Sequence, residues 1–224
     1  MVVRAGTDTR RVDAGRRCLA EAIGTFVLVF ATVGATIVSG SLVGVATATG
    51  LALAAAITAL GPVSGAHFNP AVTLVDRMFG TITTTDAILY AIAQTVGGCV
   101  GAVIANIMFE LDPINISTKS RSSGALWLSE VVATIGLLLV IHGCVRTGRA
   151  SAVPFAVGVW IGGAYWFTSS TSFANPAVTV ARTLSDSFAG IKPSSAPMFI
   201  VMQLVGAVLA FVLIRFLYPH PLEE

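Results

Sequence analysis

Two stretches of this 224-residue chain read almost alike. Residues 64–73 are Ser-Gly-Ala-His-Phe-Asn-Pro-Ala-Val-Thr, and residues 172–179 are Ser-Phe-Ala-Asn-Pro-Ala-Val-Thr. Asn69 and Asn175 are good helix N-caps, and Pro70 and Pro176 follow at the first helical position, where proline is best tolerated. Each copy therefore predicts a helix start. The apolar pieces that follow, 69–79 and 175–184, are too short to cross a hydrocarbon core, which takes about 20 residues.

The rest of the chain says that such a core is present. It is 55% hydrophobic and 11% charged, where a soluble domain carries about 25% charged residues. Its mean hydropathy is +0.86. Six segments have the length to span: 19–39, 43–61, 86–110, 124–143, 152–169 and 197–217. The first apolar run is too long for a signal-peptide core and carries no small-residue cleavage site, so it is expected to stay as a span. The 22 glycines suit close approach of membrane helices. Irregular backbone at membrane depth is tolerated only where protein buries it or a watery cavity meets it. The two short pieces are then re-entrant half-helices.

An even number of spans puts both termini on one side. That side holds Arg4, Arg10, Arg11, Arg16, Arg17, Arg77, Arg146, Arg149 and Arg215, against Lys119, Arg121, Arg182 and Lys192 on the other. The positive-inside rule places both termini in the cytoplasm. The expected organisation is a cytoplasmic tail 1–18, a first repeat 19–110, an outer connecting loop 111–123, a second repeat 124–217 and a cytoplasmic tail 218–224.

The repeat is internal. Glu21-Ala-Ile-Gly-Thr25 is echoed by Glu130-Val-Val-Ala-Thr134, and Gln94-Thr-Val-Gly-Gly98 by Gln203-Leu-Val-Gly-Ala207. Each half has an odd number of crossings, so the second sits upside down relative to the first. Inverted repeats place their site near the bilayer midplane, at the interface between the halves. The fold class is thus an all-α membrane protein with six transmembrane helices and two half-helices meeting head to head.

At that meeting point Asn69 and Asn175 cap their helices through the side-chain carbonyl and leave the amide N–H2 as a donor. Donors beside two positive helix ends suit the oxygen of water or an alcohol and oppose a cation. Glu21 and Glu130, carboxylates inside spans, need partners; hydrogen bonding to the irregular loops accounts for them better than a proton relay. His67 has no second His, Cys or carboxylate at ligand spacing, with His142 at the end of the fourth span and His220 in the tail, so no metal site is expected. Cys18, Cys99 and Cys144 are scattered and read as small hydrophobes.

These residues give the chain a resemblance to the aquaporin and aquaglyceroporin family of major intrinsic proteins over 18–217. The resemblance rests on Glu21, Gly24-Thr25-Phe26, the doubled Asn69-Pro70-Ala71 and Asn175-Pro176-Ala177, Gln94, Glu130 and Gln203. It implies an hourglass channel in each subunit of a homotetramer, no cofactor, and glutamates that hold the loops. It also implies carbonyl ladders at Gly65, Ala66 and His67 and at Thr171, Ser172 and Phe173. Gln94 and Gln203 are expected to brace helices. Where water- and glycerol-conducting relatives carry an Arg directly after the second Asn-Pro-Ala, this chain has Val178. The nearest arginine, Arg182, lies about one helical turn further on; that spacing points it roughly the same way, but it cannot occupy the same constriction without rearrangement. Counting as the family does places the outer filter at Thr49, Gly163, Ser172 and Val178, a small, uncharged and wide set. The run Ala-Arg-Thr-Leu-Ser-Asp-Ser-Phe-Ala-Gly-Ile at 181–191 is similar to a bacterial group linked to metalloids.

The expected function is a passive inner-membrane channel for water and small neutral solutes, such as glycerol-like polyols, urea, and undissociated arsenite or antimonite. Ions and protons would be excluded. An ion-coupled secondary transporter would need a relay or ion site at the midplane, and a mainly water-selective channel would need a narrower filter. No nucleophile–base pair suggests an enzyme, and the arginines read as orientation signals rather than nucleic-acid contacts.

Overall fold

The caps set where the membrane helices begin. In the computed structural model, which describes residues 12–219, Asp13 accepts from Gly15 N at 3.1 Å and starts α1 (Ala14–Ser39). Ser41 starts α2 (Leu42–Ser64) and Thr83 starts α4 (Thr84–Met108), each accepting a backbone N–H at 3.1 Å. Ser123 starts α5 (Gly124–Arg146). Gly40 and Gly65 end α1 and α2 in the left-handed region. The remaining long helices are α6 (Val153–Phe167) and α8 (Ala196–Leu217). Among the described residues, six helical stretches are long and apolar enough to cross a membrane, with mean hydropathies from 1.3 to 2.5. The first helix begins earlier than the apolar run suggests, because Asp13 caps it and Arg17 reaches out to pair with Asp86 at 2.9 Å. Arg4, Arg10, Arg11 and His220 lie outside the described residues.

The two short pieces are α3 (Pro70–Met78) and α7 (Pro176–Ala181), with Asn69 and Asn175 as their caps and proline at the first turn. The second is α-helical only to Ala181 and ends in a 3-10 turn over Arg182–Leu184, so the stretch expected to run as one half-helix changes winding.

Packing repeats with the sequence. α1 lies along α4 and α2; α5 lies along α8 and α6; α2 against α6 joins the halves, and both α3 and α7 wedge against α4 and α8. Glycine lets the joint close. A Cβ on Gly50 would come within 2.6 Å of the Gly158 carbonyl, and one on Gly158 within 2.7 Å of the Gly50 carbonyl. Gly97 against the Ala22 carbonyl is matched by Gly206 against that of Val131. The interior is polar for a protein, holding Glu21, Gln94, Glu130 and Gln203 at 0% exposure, while Leu51, Phe155 and Phe216 face outward. An apolar exterior of this extent fits lipid.

Candidate functional site

The loops before α3 and α7 cannot be regular strand or helix, and the backbone records it. Ala66 and Phe68 take φ of 53° and 50°; Ser172 and Ala174 both take 47°. Non-glycine residues in this region cost on the order of 1–3 kcal/mol each and persist only when surroundings hold them. The holders are the two buried carboxylates. Glu21 accepts from the Ser64 hydroxyl at 2.6 Å, from His67 N at 3.0 Å, and from Phe68 N and Gln94 Nε2 at 2.7 Å. Glu130 repeats the pattern with the Ser170 hydroxyl at 2.5 Å, Phe173 N at 3.0 Å, Ala174 N at 2.9 Å and Gln203 Nε2 at 2.6 Å. Gln94 and Gln203 also donate to Thr73 and Thr179, so they brace the loop carboxylates and half-helices, not simply helix against helix.

At the centre the two caps cross. Asn69 accepts from Ala71 N at 2.8 Å and donates to the Ala174 carbonyl at 2.7 Å. Asn175 accepts from Ala177 N at 3.0 Å and Val178 N at 3.2 Å, and donates to the Phe68 carbonyl at 2.8 Å. Each amide has two N–H groups, so one on each side chain is left for the space beside it. Pro70, Ala71, Pro176 and Ala177 form the helix starts and do not border that space.

The space is a cavity of about 1840 Å3, larger than the roughly 300–1000 Å3 of an ordinary ligand pocket. Its lining includes Arg17, Arg77 and Asp86, Gly65, Ala66 and His67, both Asn69 and Asn175, and Thr49, Ser172, Phe173 and Val178. Thr171 and Gly163 do not border it. For Gly163 the reason is helix phase. α6 presents Val157, Ile161 and Tyr165 to the cavity, a stripe spaced by four residues, and Gly163 lies on the opposite side of that stripe. Tyr165 therefore stands where Gly163 was expected, its hydroxyl 3.4 Å from Thr49 Oγ1, which meets Thr32 Oγ1 at 3.0 Å.

Arg182, one turn past Val178 and directed roughly the same way, also borders the cavity. Side chains on a helix lean back toward its N-terminus, which returns the guanidinium across the turn that separates it from Val178. It stacks on the Phe173 ring, 3.4 Å from the centroid, and its Nε donates to the Ala189 carbonyl. The cavity lining that includes Thr49, Ser172 and Val178 thus also carries a charge. Arg121, read from sequence as an outer-loop charge, is buried and holds the loop by donating to the carbonyls of Gly190, Ser170 and Phe188 at 2.8–3.0 Å.

His67 is not isolated either. Its Nδ1 lies 3.0 Å from Thr73 Oγ1, its Nε2 lies 2.8 Å from Asp76 Oδ2, and His142 Nε2 lies 3.9 Å from Asp76 Oδ1. Asp76 is seven residues past Asn69, two turns along α3, and His142 arrives from α5, so no local spacing in the sequence signals the group. The cysteines are free, and among the described residues no three His, Cys, Asp or Glu side chains, this group included, are placed to hold a metal ion.

Comparison with known proteins agrees with this geometry. The family model for the major intrinsic protein matches residues 8–166 and 144–223. Aquaglyceroporin AqpS of Rhizobium meliloti is 47% identical over 92% of this chain and 91% of its own length. Aquaporin Z of Bradyrhizobium diazoefficiens is 31% identical over 92% of this chain and 95% of its own. The crystal structure of the aquaglyceroporin from Plasmodium falciparum superposes with a TM-score of 0.72 over 93% of this chain and 97% of that one, at 24% identity, a likeness of fold. The chain belongs to the major intrinsic protein family, and it is a multi-pass membrane channel for water and small solutes.

Proposed function

We propose that the solutes are small, neutral and hydroxylated, namely glycerol-like polyols, urea and undissociated metalloid acids such as arsenite and antimonite. They pass down their gradients together with water, while ions and protons are excluded. The observation that carries this reading is Val178, which borders the cavity with an isopropyl group directly after the second Asn-Pro-Ala. With Thr49 and Ser172 it leaves a short hydroxyl-lined margin. The similar aquaglyceroporin AqpS supports the same solute class. Exclusion of cations follows from the centre, where two amides offer donors and no carboxylate. Passive flow follows from Glu21 and Glu130, whose oxygens are committed to the loops and leave no midplane relay for coupling. The reading includes a homotetramer in the inner membrane, both termini cytoplasmic, with the carbonyls of Gly65, Ala66 and His67 and of Ser172 and Phe173 along the path.

A mainly water-conducting channel is the second reading, favoured by the Tyr165 hydroxyl beside Thr49 at 3.4 Å. Light scattering of proteoliposomes under water, glycerol and arsenite gradients separates the two. Wild type is expected to pass glycerol and arsenite, and Val178→Arg to reduce both more than water. Unchanged solute flux in Val178→Arg removes Val178 from the filter.

A further inference from the structure

We propose that Arg182 supplies the constriction's cationic donor from one turn past the second Asn-Pro-Ala, and with Ser172 binds the oxygens of a permeating solute. The inference deepens the neutral-solute reading above and rests on it. Arg182 is 1% exposed and borders the cavity. Two of its bonding faces are occupied: Nε by the Ala189 carbonyl, and the plane by the Phe173 ring at 3.4 Å. Nη2 has no partner at all. Among the described residues no carboxylate pairs with the guanidinium. A buried charged donor without an acceptor is costly, and a cavity-bordering one is relieved when an oxygen arrives. The Ser172 hydroxyl, 3% exposed and in the same lining, also lacks a partner. It adds a group that both donates and accepts.

The pairing matches the chemistry of a neutral hydroxylated solute. One oxygen takes the N–H from Arg182, another hydroxyl exchanges a hydrogen bond with Ser172, and the carbon or metalloid face rests on Val178. The same guanidinium repels any cation that reaches this level. The substitution of Val for Arg after the motif thus moves the positive barrier by a turn instead of deleting it. The ring of Phe173 fixes the plane, and Arg121, 4.9 Å from the same ring centroid, locks the loop behind it.

The test uses the full chain in proteoliposomes, with glycerol and water permeability by light scattering and monovalent cation and proton leak by an entrapped dye. Arg182→Met is expected to raise the leak and shift the glycerol-to-water ratio by about tenfold or more, the scale of one charge-assisted hydrogen bond. Arg182→Lys is expected to keep the leak near wild type, and Ser172→Ala to shift the ratio without a leak. If Arg182→Met reconstitutes with leak and ratio unchanged, the proposal is overturned. If it fails to reconstitute, the other two variants decide: a shifted ratio in Ser172→Ala with a tight Arg182→Lys supports it, and an unchanged ratio in Ser172→Ala overturns it. Failure of the underlying reading looks different, since wild type itself would then pass no glycerol.

Discussion

Glu21→Gln replaces one carboxylate oxygen by an N–H2 and leaves the shape nearly unchanged. Oε1 now accepts from the Ser64 hydroxyl and His67 N, and Oε2 from Phe68 N and Gln94 Nε2. Whichever side the new amide takes, one backbone donor faces a donor. On the Oε1 side it is His67 N, because the Ser64 hydroxyl can turn and accept. On the Oε2 side it is Phe68 N, because Gln94 Oε1, otherwise unpartnered, answers the amide when Gln94 turns over, at the loss of its bond to Thr73. A buried unsatisfied donor costs about 1–3 kcal/mol, and the variant loses about that much. For a chain of this size that is roughly 5 °C in thermal midpoint. The loop also holds Ala66 and Phe68 at positive φ, and with its restraint gone the path beside Asn69 should close or widen. Glu130→Gln should behave alike, because its four bonds repeat those of Glu21. The assay is thermal unfolding in detergent beside glycerol flux in proteoliposomes. A Glu21→Gln protein melting within about 2 °C of wild type, with full flux, refutes the loop-holding role.

Two further outcomes follow from contacts that the sequence did not signal. Asp76→Asn removes the carboxylate that His67 Nε2 meets at 2.8 Å; it should cost about 1–3 kcal/mol in detergent stability, and an unchanged midpoint counts against a structural pairing. In the connecting loop, burial and then the charges of Arg121 and Arg182 push the Lys119 amine down to about 8. The folded state releases that proton before the unfolded chain does, near 10.4, so stability should rise as pH climbs through this window. Peptide-resolved acylation should find Lys119 half-reactive near pH 8, and reactivity only above pH 10 contradicts the packing.

Much of the frame was legible because it is written in local chemistry. The Asn-Pro starts, the echoed Glu and Gln positions and the span lengths each follow from capping, hydropathy or parity of crossings. The filter was less legible. Counting back from Asn175 led to Gly163, since a count carries no helix phase, and α6 turns Tyr165 inward instead. The rise along the helix separates Arg182 from Val178 by a turn, and only the backward lean of a helical side chain, which a residue count does not carry, brings it to the cavity. His67, Asp76 and His142 come from the loop before α3, from α3 and from α5, and meet only in the fold, while Arg121 is a loop charge until the fold wraps Gly190 and Phe188 around it.

The central claim is passive conduction of neutral solute through the cavity between Asn69 and Asn175. The most direct measurement is the initial rate of glycerol and arsenite entry into proteoliposomes as the gradient is raised, with and without sodium or proton gradients. Rates are expected to climb in proportion to the gradient and to ignore the ions. A rate that saturates and depends on either ion would contradict that claim.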